Sequence, residues 1–285
     1  MGLERLNQVI RPATLQDTAN LTEFLTGTIK LHKHLDWRLP LDWLGSNPFF
    51  IRLDKGLVEA LLACPVEVDG VFWVRLFAAS DALDPADAWL TLFPSVLENV
   101  KRHENVQFMA ALPYQAWFLE ILMKCGWKKT NEIIQLKVTS ANSQDRKSPH
   151  VLRKMTTHDL DAVLEIDSHC FEPLWKHNQQ GLTLAFQQAS YATVLLVAGK
   201  IAGYQISTGN QGHIHIARLA VNPDYRRQGI GADLVTDVIQ RAQSLAFHEI
   251  TVNTQADNKA SISLYQNCGF RRTGEDFPVF QYFQN

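Results

Sequence analysis

The sequence has few cysteines and no long run of apolar residues. Its four cysteines, Cys64, Cys125, Cys170 and Cys268, are far apart and form no C-x-x-C pair and no Cys/His ligand pattern. This usage predicts buried, reduced thiols and argues against a metal site. No stretch approaches the about 18 apolar residues of a membrane span, and the first residues lack the apolar core of a signal peptide. We therefore expect a cytoplasmic protein that does not enter a membrane.

The chain also lacks an excess of charge of either sign. It carries 27 Lys and Arg residues against 29 Asp and Glu, a formal net charge of −2. Binding to nucleic acid or to an acidic membrane surface depends on a basic field, so neither partner is expected. At 285 residues and 46% hydrophobic composition, the chain exceeds one typical domain and has material for one or two sizeable cores. Composition therefore predicts a globular protein of two domains.

A glycine-containing turn, VNPDYRRQGIG at residues 221–231, is the most informative short segment. It follows the extended run HIHIARLAV and precedes GADLVTDVIQRA, whose apolar residues recur with helical spacing. Glycine permits a tight turn, and the free N–H groups and dipole of a helix N-terminus attract anions. Arg226 and Arg227 strengthen that attraction. The turn predicts a phosphate or pyrophosphate site, with a plain solvated turn as the alternative.

Neither common nucleotide motif is present in this turn. No G-K-[ST] follows it, and Leu234 stands where a dinucleotide-binding loop has its third glycine. The turn instead resembles the R-x-x-G-x-G motif of the GNAT superfamily of N-acetyltransferases, at Arg226, Gly229 and Gly231. A second segment, VNTQADNKASISLYQNCGF at residues 252–270, resembles the superfamily's second signature. The resemblance covers Val151–Asn285 and implies acetyl-CoA as the co-substrate.

The resemblance also implies which residues hold this co-substrate. Backbone N–H groups from Gln228 to Ala232 would bind its pyrophosphate, the splayed strand around Ala220 would pair with pantetheine, and Asn258 would touch the cofactor arm. The complete set implied for cofactor binding is Leu219, Ala220, Val221, Arg226, Arg227, Gln228, Gly229, Ile230, Gly231, Ala232 and Asn258.

Two residues are candidates for the proton transfers of catalysis. Tyr265 matches the tyrosine of the second signature, which implies a phenol near the thioester sulfur that acts as general acid. Without the resemblance, an aromatic residue on the core side of a helix is the alternative. His215 stands where many superfamily members carry a glutamate, and an imidazole can serve as the base. A water chain, or a purely polar role of His213 and His215 on a half-exposed strand, are the alternatives.

The first half of the chain repeats the second at a constant offset of 143 residues, which pairs Arg75 with Arg218 and KCGWKK with NCGFRR. Such self-similarity indicates two copies of one unit. The first copy has lost the chemistry of the second. Leu83, Ala86 and Ala88 replace the motif's arginine and glycines, and Leu122 replaces the tyrosine. Asp84 and Asp87 stand in the place of the cradle, where carboxylates repel a phosphate.

The predicted fold class is α/β (α+β), with two GNAT-like domains, each a mixed, mostly antiparallel sheet flanked by helices. The predicted division is a degenerate, non-catalytic domain at 1–138, a linker at 139–149 in the polar stretch TSANSQDRKSP, and a catalytic domain at 150–285.

The acceptor is the least determined part of the function. The segment between Cys170 and Gly181 is where this superfamily usually binds its acceptor, and Glu172, Trp175 and His177 would suit an amine, although a surface loop is the alternative. Tandem members such as mycothiol synthase favour a small-molecule amine, whereas the VNTQADN segment is similar to enzymes that acetylate protein N-termini. A non-catalytic acyl-CoA-binding or scaffold protein is the third hypothesis.

Overall fold

The computed structural model describes residues 8–139, 148–210 and 212–283. It divides the chain into two compact units, Met1–Thr130 with Pro278–Asn285, and Asn131–Phe277. These units differ from the linear division at 138 and 150, because each half of the sequence ends in a strand whose last residues belong to the other unit. Residues 140–147 of the expected linker lie outside the described residues.

The described part of the first unit contains seven strands and three α-helices before the strand that continues into the second unit. These elements are β1 (Gln8–Pro12), α1 (Thr18–Gly27), β2 (Lys30–Lys33), β3 (Phe49–Asp54), β4 (Leu57–Ala63), β5 (Val71–Trp73), β6 (Leu76–Ala79), α2 (Pro85–Lys101), β7 (Phe108–Ala111) and α3 (Ala116–Lys124). Five strands form an antiparallel sheet in the order β1-β3-β4-β6-β2. Strand β5 pairs in parallel with β7.

The second unit contains the remaining elements. These are β8 (Lys128–Thr139), β9 (Val151–Lys154), α4 (Leu160–Cys170), α5 (Gln179–Gln187), β10 (Tyr191–Val197), β11 (Lys200–Asn210), β12 (His213–Val221), α6 (Ile230–Ser244), β13 (Glu249–Gln255), α7 (Lys259–Asn267) and β14 (Arg271–Tyr282). Its strands run in the order β8-β13-β12-β11-β10-β9, and within the described residues of this unit β12 and β13 are the one parallel pair. The expected mixed, mostly antiparallel sheet with flanking helices is confirmed.

The two units have repeated local structure as well as repeated sequence. In each, an arginine on the first strand forms two hydrogen bonds to an aspartate that also accepts the N–H of a capping threonine. The distances for Arg153 and Asp159 are 2.7 and 2.7 Å, and those for Arg11 and Asp17 are 2.8 and 2.6 Å. A threonine N–H lies 2.8 Å from the carboxylate in both copies. The copies therefore begin with the same capped turn, which ties the first strand to the first helix.

The cores of the two units follow the helical spacing seen in the sequence. The apolar positions of α6, Leu234, Val235, Val238 and Ile239, are at most 4% exposed. In α2, Trp89 is fully buried and packs edge-on against Phe77, with ring centroids 5.1 Å apart. Burial of such large side chains is the main stabilising contribution of each helix. Within the described residues no helix is both long and apolar enough to span a membrane.

Candidate active site

The glycine turn forms the N-terminus of helix α6, as its sequence predicts. Gly229 is the N-cap with φ of 83°, a left-handed conformation that glycine adopts without strain, and no side chain caps the helix. Arg227 adopts φ of 63°, which is unusual for a residue with a Cβ atom. The first N–H groups of α6 are thus left to a ligand, and an anion is the ligand that such a terminus favours.

In the first unit, the N-terminus of the corresponding helix, α2, is capped by a side chain of the chain itself. Asp84 is the N-cap of α2, and its carboxylate accepts the N–H of Ala86 at 2.7 Å. Pro85 follows at the first helical position and has no N–H to offer. A carboxylate of the chain therefore occupies the helix terminus at which the second unit leaves N–H groups available. The carboxylate of Asp84 therefore lies where a phosphate would have to bind, and it would repel that phosphate, as the sequence predicts.

Gly231 has a packing role that the sequence did not indicate. A Cβ atom at this position would lie 3.0 Å from Cδ2 of Leu264 and 3.7 Å from Cγ2 of Val221. The missing side chain therefore allows α6 to approach α7 closely, in addition to clearing space for a ligand.

A pocket of about 820 Å³ opens in the second unit beside this helix terminus. Ten of the eleven residues implied for cofactor binding line it, namely Leu219, Ala220, Val221, Arg226, Arg227, Gly229, Ile230, Gly231, Ala232 and Asn258. Gln228 is not among the lining residues. Further lining residues that the sequence did not single out include Asn131, Phe171, Tyr225 and Leu264. The pocket brings together residues from both motifs, although about 30 positions separate them in the sequence.

The two parallel strands beside the pocket separate where the pocket begins. Pairing of β12 with β13 extends from His213 to Ile216 and stops there, although both strands continue. The register of β12 against β11 shifts at the same point, so that Ala217 is an extra residue. A bulge of this kind bends the strand away from its neighbour. The resulting gap lies along Leu219–Val221, the segment expected to pair with pantetheine.

In the first unit the equivalent gap is filled by the protein itself. Strand β6 is the counterpart of Leu219–Asn222 at the offset of 143 residues, and β2 pairs with its free edge from Lys30 to Lys33. Gln115, the counterpart of Asn258, donates from its side chain to Leu31 O at 2.9 Å. The backbone of β2 thus occupies the edge that stays open in the second unit.

The two candidate catalytic residues lie outside the pocket lining, near the point where the strands separate. Tyr265 is 5% exposed and packs among the residues that cover Ile214 and Ile216, with its ring 5.5 Å from that of Phe270. Burial raises the pKa of its hydroxyl. Its apolar surroundings agree with the packing alternative, and its position on α7 leaves the catalytic hypothesis open to test.

Side chains alternate along a strand, so His215 lies on the face of β12 opposite to Ile214, Ile216 and Tyr265. Its Nδ1 lies 2.9 Å from the hydroxyl oxygen of Thr251 on β13. Burial lowers the pKa of His215, so its imidazole is neutral at pH 7. His213, two residues away, lies at the exposed end of the strand, 3.6 Å from Glu249.

The predicted acceptor segment contributes an aromatic and acidic wall to the pocket. Phe171, Glu172 and Trp175 all line it, whereas His177 does not. The backbone N–H of His177 donates to Asp167 at 3.2 Å. Of the three side chains that the sequence offered for an amine, Glu172 and Trp175 therefore face the pocket.

A buried ion pair lies beneath this wall. Asp167 is fully buried and accepts from Arg218 Nε at 2.7 Å and Nη2 at 2.8 Å, and from the Tyr204 hydroxyl at 2.5 Å. Burial alone would raise the pKa of Asp167, but the charge and hydrogen bonds of Arg218 outweigh it and hold that pKa below its usual value. The guanidinium also stacks 3.5 Å from the ring centroid of Phe171. The repetition of Arg75 and Arg218 was the only sequence signal for this cluster.

None of the four cysteines, all within the described residues, forms a disulfide, but not all are buried as expected. Cys64 is buried, whereas Cys125, Cys170 and Cys268 are partly exposed. Cys170 lines the pocket and donates its thiol to Val221 O at 3.2 Å. Burial raises the pKa of this thiol, which keeps it protonated.

Comparison with known proteins finds similarity of the second unit to one family. Residues 160–270 match the model described as the acetyltransferase (GNAT) family. A mouse protein named N-acetyltransferase family 8 member 3 is 38% identical over 134 residues, 46% of this chain and 53% of its own length. The chain thus spans about half of that relative. The [ribosomal protein bS18]-alanine N-acetyltransferase of Escherichia coli K12 is 29% identical over 42% of this chain and 80% of its own length.

Solved structures resemble the chain over nearly its whole length. A tandem GNAT protein from the clavulanic acid biosynthesis pathway covers 96% of this chain and 97% of its own, with a TM-score of 0.65 and 12% identity. A GCN5-related N-acetyltransferase from Sphaerobacter thermophilus covers 96% and 95%, with a TM-score of 0.61 and 13% identity. At such identities the likeness is one of fold, and it confirms the tandem arrangement predicted from the internal repeat.

Proposed function

We propose that the GNAT domain at residues 160–270 is an acetyl-CoA-dependent N-acetyltransferase whose acceptor is the primary amine of a small molecule. The observation that carries the proposal is the uncapped N-terminus of α6 beside the gap between β12 and β13, both facing one pocket. The first feature suits a pyrophosphate, and the second suits an extended amide-containing arm.

The residues of this chain fit acetyl-CoA, which supplies the acetyl group as a thioester. The N–H groups from Gly229 to Ala232, which line the pocket, bind the pyrophosphate, and Arg226 and Arg227 add positive charge. Leu219–Val221 pair with pantetheine, and Asn258 contacts the arm of the cofactor. The absence of a Cβ at Gly231 keeps this path clear and lets α7 close its side.

His215 and Tyr265 perform the proton transfers from opposite faces of the sheet. Nε2 of His215 takes the proton that the amine nitrogen loses as the C–N bond forms. The Tyr265 hydroxyl gives its proton to the sulfur as the C–S bond breaks. Burial keeps both groups in the required protonation states at pH 7, since it lowers the pKa of the histidine and raises that of the tyrosine.

The acceptor enters beside Phe171, Glu172 and Trp175, where a carboxylate and aromatic rings attract an ammonium group. A small-molecule amine agrees with the tandem layout. The second candidate acceptor is a protein N-terminal α-amine, which the resemblance to the bS18-alanine enzyme supports. The third hypothesis, a non-catalytic acyl-CoA-binding or scaffold protein, follows from the histidine at the usual glutamate position.

The spacing of the four cysteines supports a cytoplasmic location.

The first half of the chain, residues 1 to about 138, is a degenerate and non-catalytic copy in this proposal. Its helix terminus is capped by Asp84, and the edge of β6 is paired with β2. In its described part, neither the N-terminus of α2 nor the edge of β6 is therefore open to a cofactor as its counterpart in the second unit would be.

A thiol-release assay tests the proposal and separates the three hypotheses. Purified protein is mixed with acetyl-CoA and a panel of small amines and N-terminal peptides, and free CoA thiol is measured. Turnover with small amines supports the leading hypothesis, and turnover restricted to peptides supports the second. Tight CoA binding without turnover on any acceptor would support the third.

Tyr265→Phe tests the acid and Phe270→Leu controls for the packing of the same cluster. We expect Tyr265→Phe to lower kcat by about 10²- to 10⁴-fold at unchanged CoA affinity. If Tyr265→Phe kept wild-type turnover when chemistry limits the rate, the tyrosine would be a core residue only.

A further inference from the structure

The contact between His215 and Thr251 can determine which nitrogen of the imidazole carries the proton. The two residues are register partners in the parallel pair β12–β13, and Nδ1 lies 2.9 Å from Oγ1. Their row continues across the sheet to Thr208 on β11 and Lys137 on β8. A β-branched residue such as threonine has a strongly restricted χ1, so its hydroxyl is held in place by the strand itself.

A neutral imidazole carries one proton, and a base must leave the other nitrogen free to accept one. The nitrogen that carries the proton is decided by the hydrogen bond that the ring makes. The threonine hydroxyl is able to donate or accept. When it accepts from Nδ1–H, Nε2 is left as the proton acceptor.

We propose that Thr251 is a positioning residue, which accepts the Nδ1–H of His215 and thereby presents Nε2 as the base. This inference rests on the proposed function for its catalytic consequence, but the tautomer itself is a property of the resting protein. Thr251 does not line the pocket, so its effect on CoA binding is expected to be small.

Two charged groups lie on the same sheet face, Lys137 in the row of Thr251 and Glu249 in the next row, and they contact each other. Glu249 on β13 lies 3.0 Å from Nζ of Lys137 and 3.6 Å from Nδ1 of His213. Burial lowers the pKa of His215, and among the described residues the hydroxyl oxygen of Thr251 lies 2.9 Å from its Nδ1. The hydroxyl is thus the group that orients the ring.

Nitrogen-15 NMR of the histidine side chains tests the tautomer without any acceptor. The signals of His215 are assigned by their loss in His215→Gln. We expect the wild-type protein at pH 7.5 to carry the proton on Nδ1 and Thr251→Val to show a mixture of both tautomers. A wild-type ring protonated on Nε2 would overturn the proposal, whether or not the protein is an acetyltransferase.

Kinetics of two matched variants test the consequence for the reaction. Thr251→Val keeps the shape of the side chain and loses the hydroxyl, whereas Thr251→Ser keeps the hydroxyl. We expect Thr251→Val to lower kcat at least about 10-fold, within the about 10²- to 10⁴-fold loss of His215→Gln, with little change in the Kd of CoA. Thr251→Ser should recover most of the rate and the wild-type pH profile.

Equal losses in the valine and serine variants would mean that the threonine acts only through packing, and the proposal would be wrong. Wild-type kinetics and an unchanged pH profile in Thr251→Val would also overturn it. Absence of turnover in the wild-type protein with every acceptor would instead refute the proposed function, and the NMR measurement would still decide the tautomer.

Discussion

Because Asp167 and Arg218 form a buried ion pair under the pocket wall, we expect Asp167→Asn to lower the free energy of unfolding by a large amount. The Asp167 side chain is 0% exposed and that of Arg218 is 10% exposed. The variant leaves the buried guanidinium without its counter-charge and turns an amide donor toward other donors. Loss of one partner of a buried pair typically costs about 3–5 kcal/mol. For a unit of this size the melting temperature should fall by about 6–20 °C, at about 2–4 °C per kcal/mol.

A matched control is available at the capped turn of the same unit. Asp159 forms a similar two-bond contact to Arg153, but that arginine side chain is 42% exposed. Because an exposed pair is worth about 0–1 kcal/mol and a cap about 1 kcal/mol, Asp159→Asn should cost only about 1–2 kcal/mol. Unfolding of both variants is followed by calorimetry and by hydrogen exchange at the amides of β11 and β12.

A double replacement distinguishes the cost of the broken pair from the value of the intact one. Asp167→Leu combined with Arg218→Met removes both charges and fills the space with apolar atoms. Such replacements are often neutral or stabilising, so the double variant should melt above Asp167→Asn. The reasoning fails if Asp167→Asn and Asp159→Asn cost the same, or if the double variant is the least stable of the three.

Three other outcomes are expected. Gly231→Asp should abolish CoA binding in calorimetry, because its carboxylate would lie in the proposed pyrophosphate site and its Cβ would lie 3.0 Å from Leu264. The wild-type protein should bind one CoA per chain in the same experiment. Two equivalent sites would contradict this. Stability should fall as pH drops from about 6.5 towards 4, because burial lowers the pKa of His32 to about 4 and the unfolded chain binds the proton first. This loss amounts to about 3 kcal/mol, and a weaker pH slope in His32→Gln would check it in denaturant titrations. Expressed alone, the fragment 150–285 should fail to give the cooperative unfolding of the intact chain, because it lacks β8, which pairs with β13; a well-dispersed NMR spectrum of the fragment would refute this.

The residues proposed to bind the cofactor were predicted from two short motifs and from the family that these motifs resemble. The residues around Gly229 and Gly231 lie within one turn and one helix start, where spacing and glycine conformation decide the backbone. Ten of the eleven residues that the resemblance implies line the pocket, including Leu219–Val221 on β12 and Asn258 at the start of α7. Gln228 does not line it. Its neighbours Arg227 and Gly229 both have positive φ, a detail of the turn that residue types alone do not specify.

The partners of the candidate catalytic residues were not predictable in the same way. The contact of His215 with Thr251 joins residues 36 positions apart, and that of Arg218 with Asp167 joins residues 51 apart. Periodicity places each residue on a face of its own element, but it does not specify which element lies beside it. The sequence therefore supplied candidates for the base and the acid, and the structure supplied the groups that orient and bury them.

The sequence by itself determined the two-copy organisation, the glycine-containing N-terminus of α6 and the loss of the motif in the first copy. Each of these is encoded in residues adjacent along the chain. Only the tertiary structure decided that β2 pairs with the edge of β6 and that β8 completes the sheet of the second unit. Strand pairing is a choice among distant segments of similar apolar character, and it is decided by which edge is left free once the rest of the fold has formed.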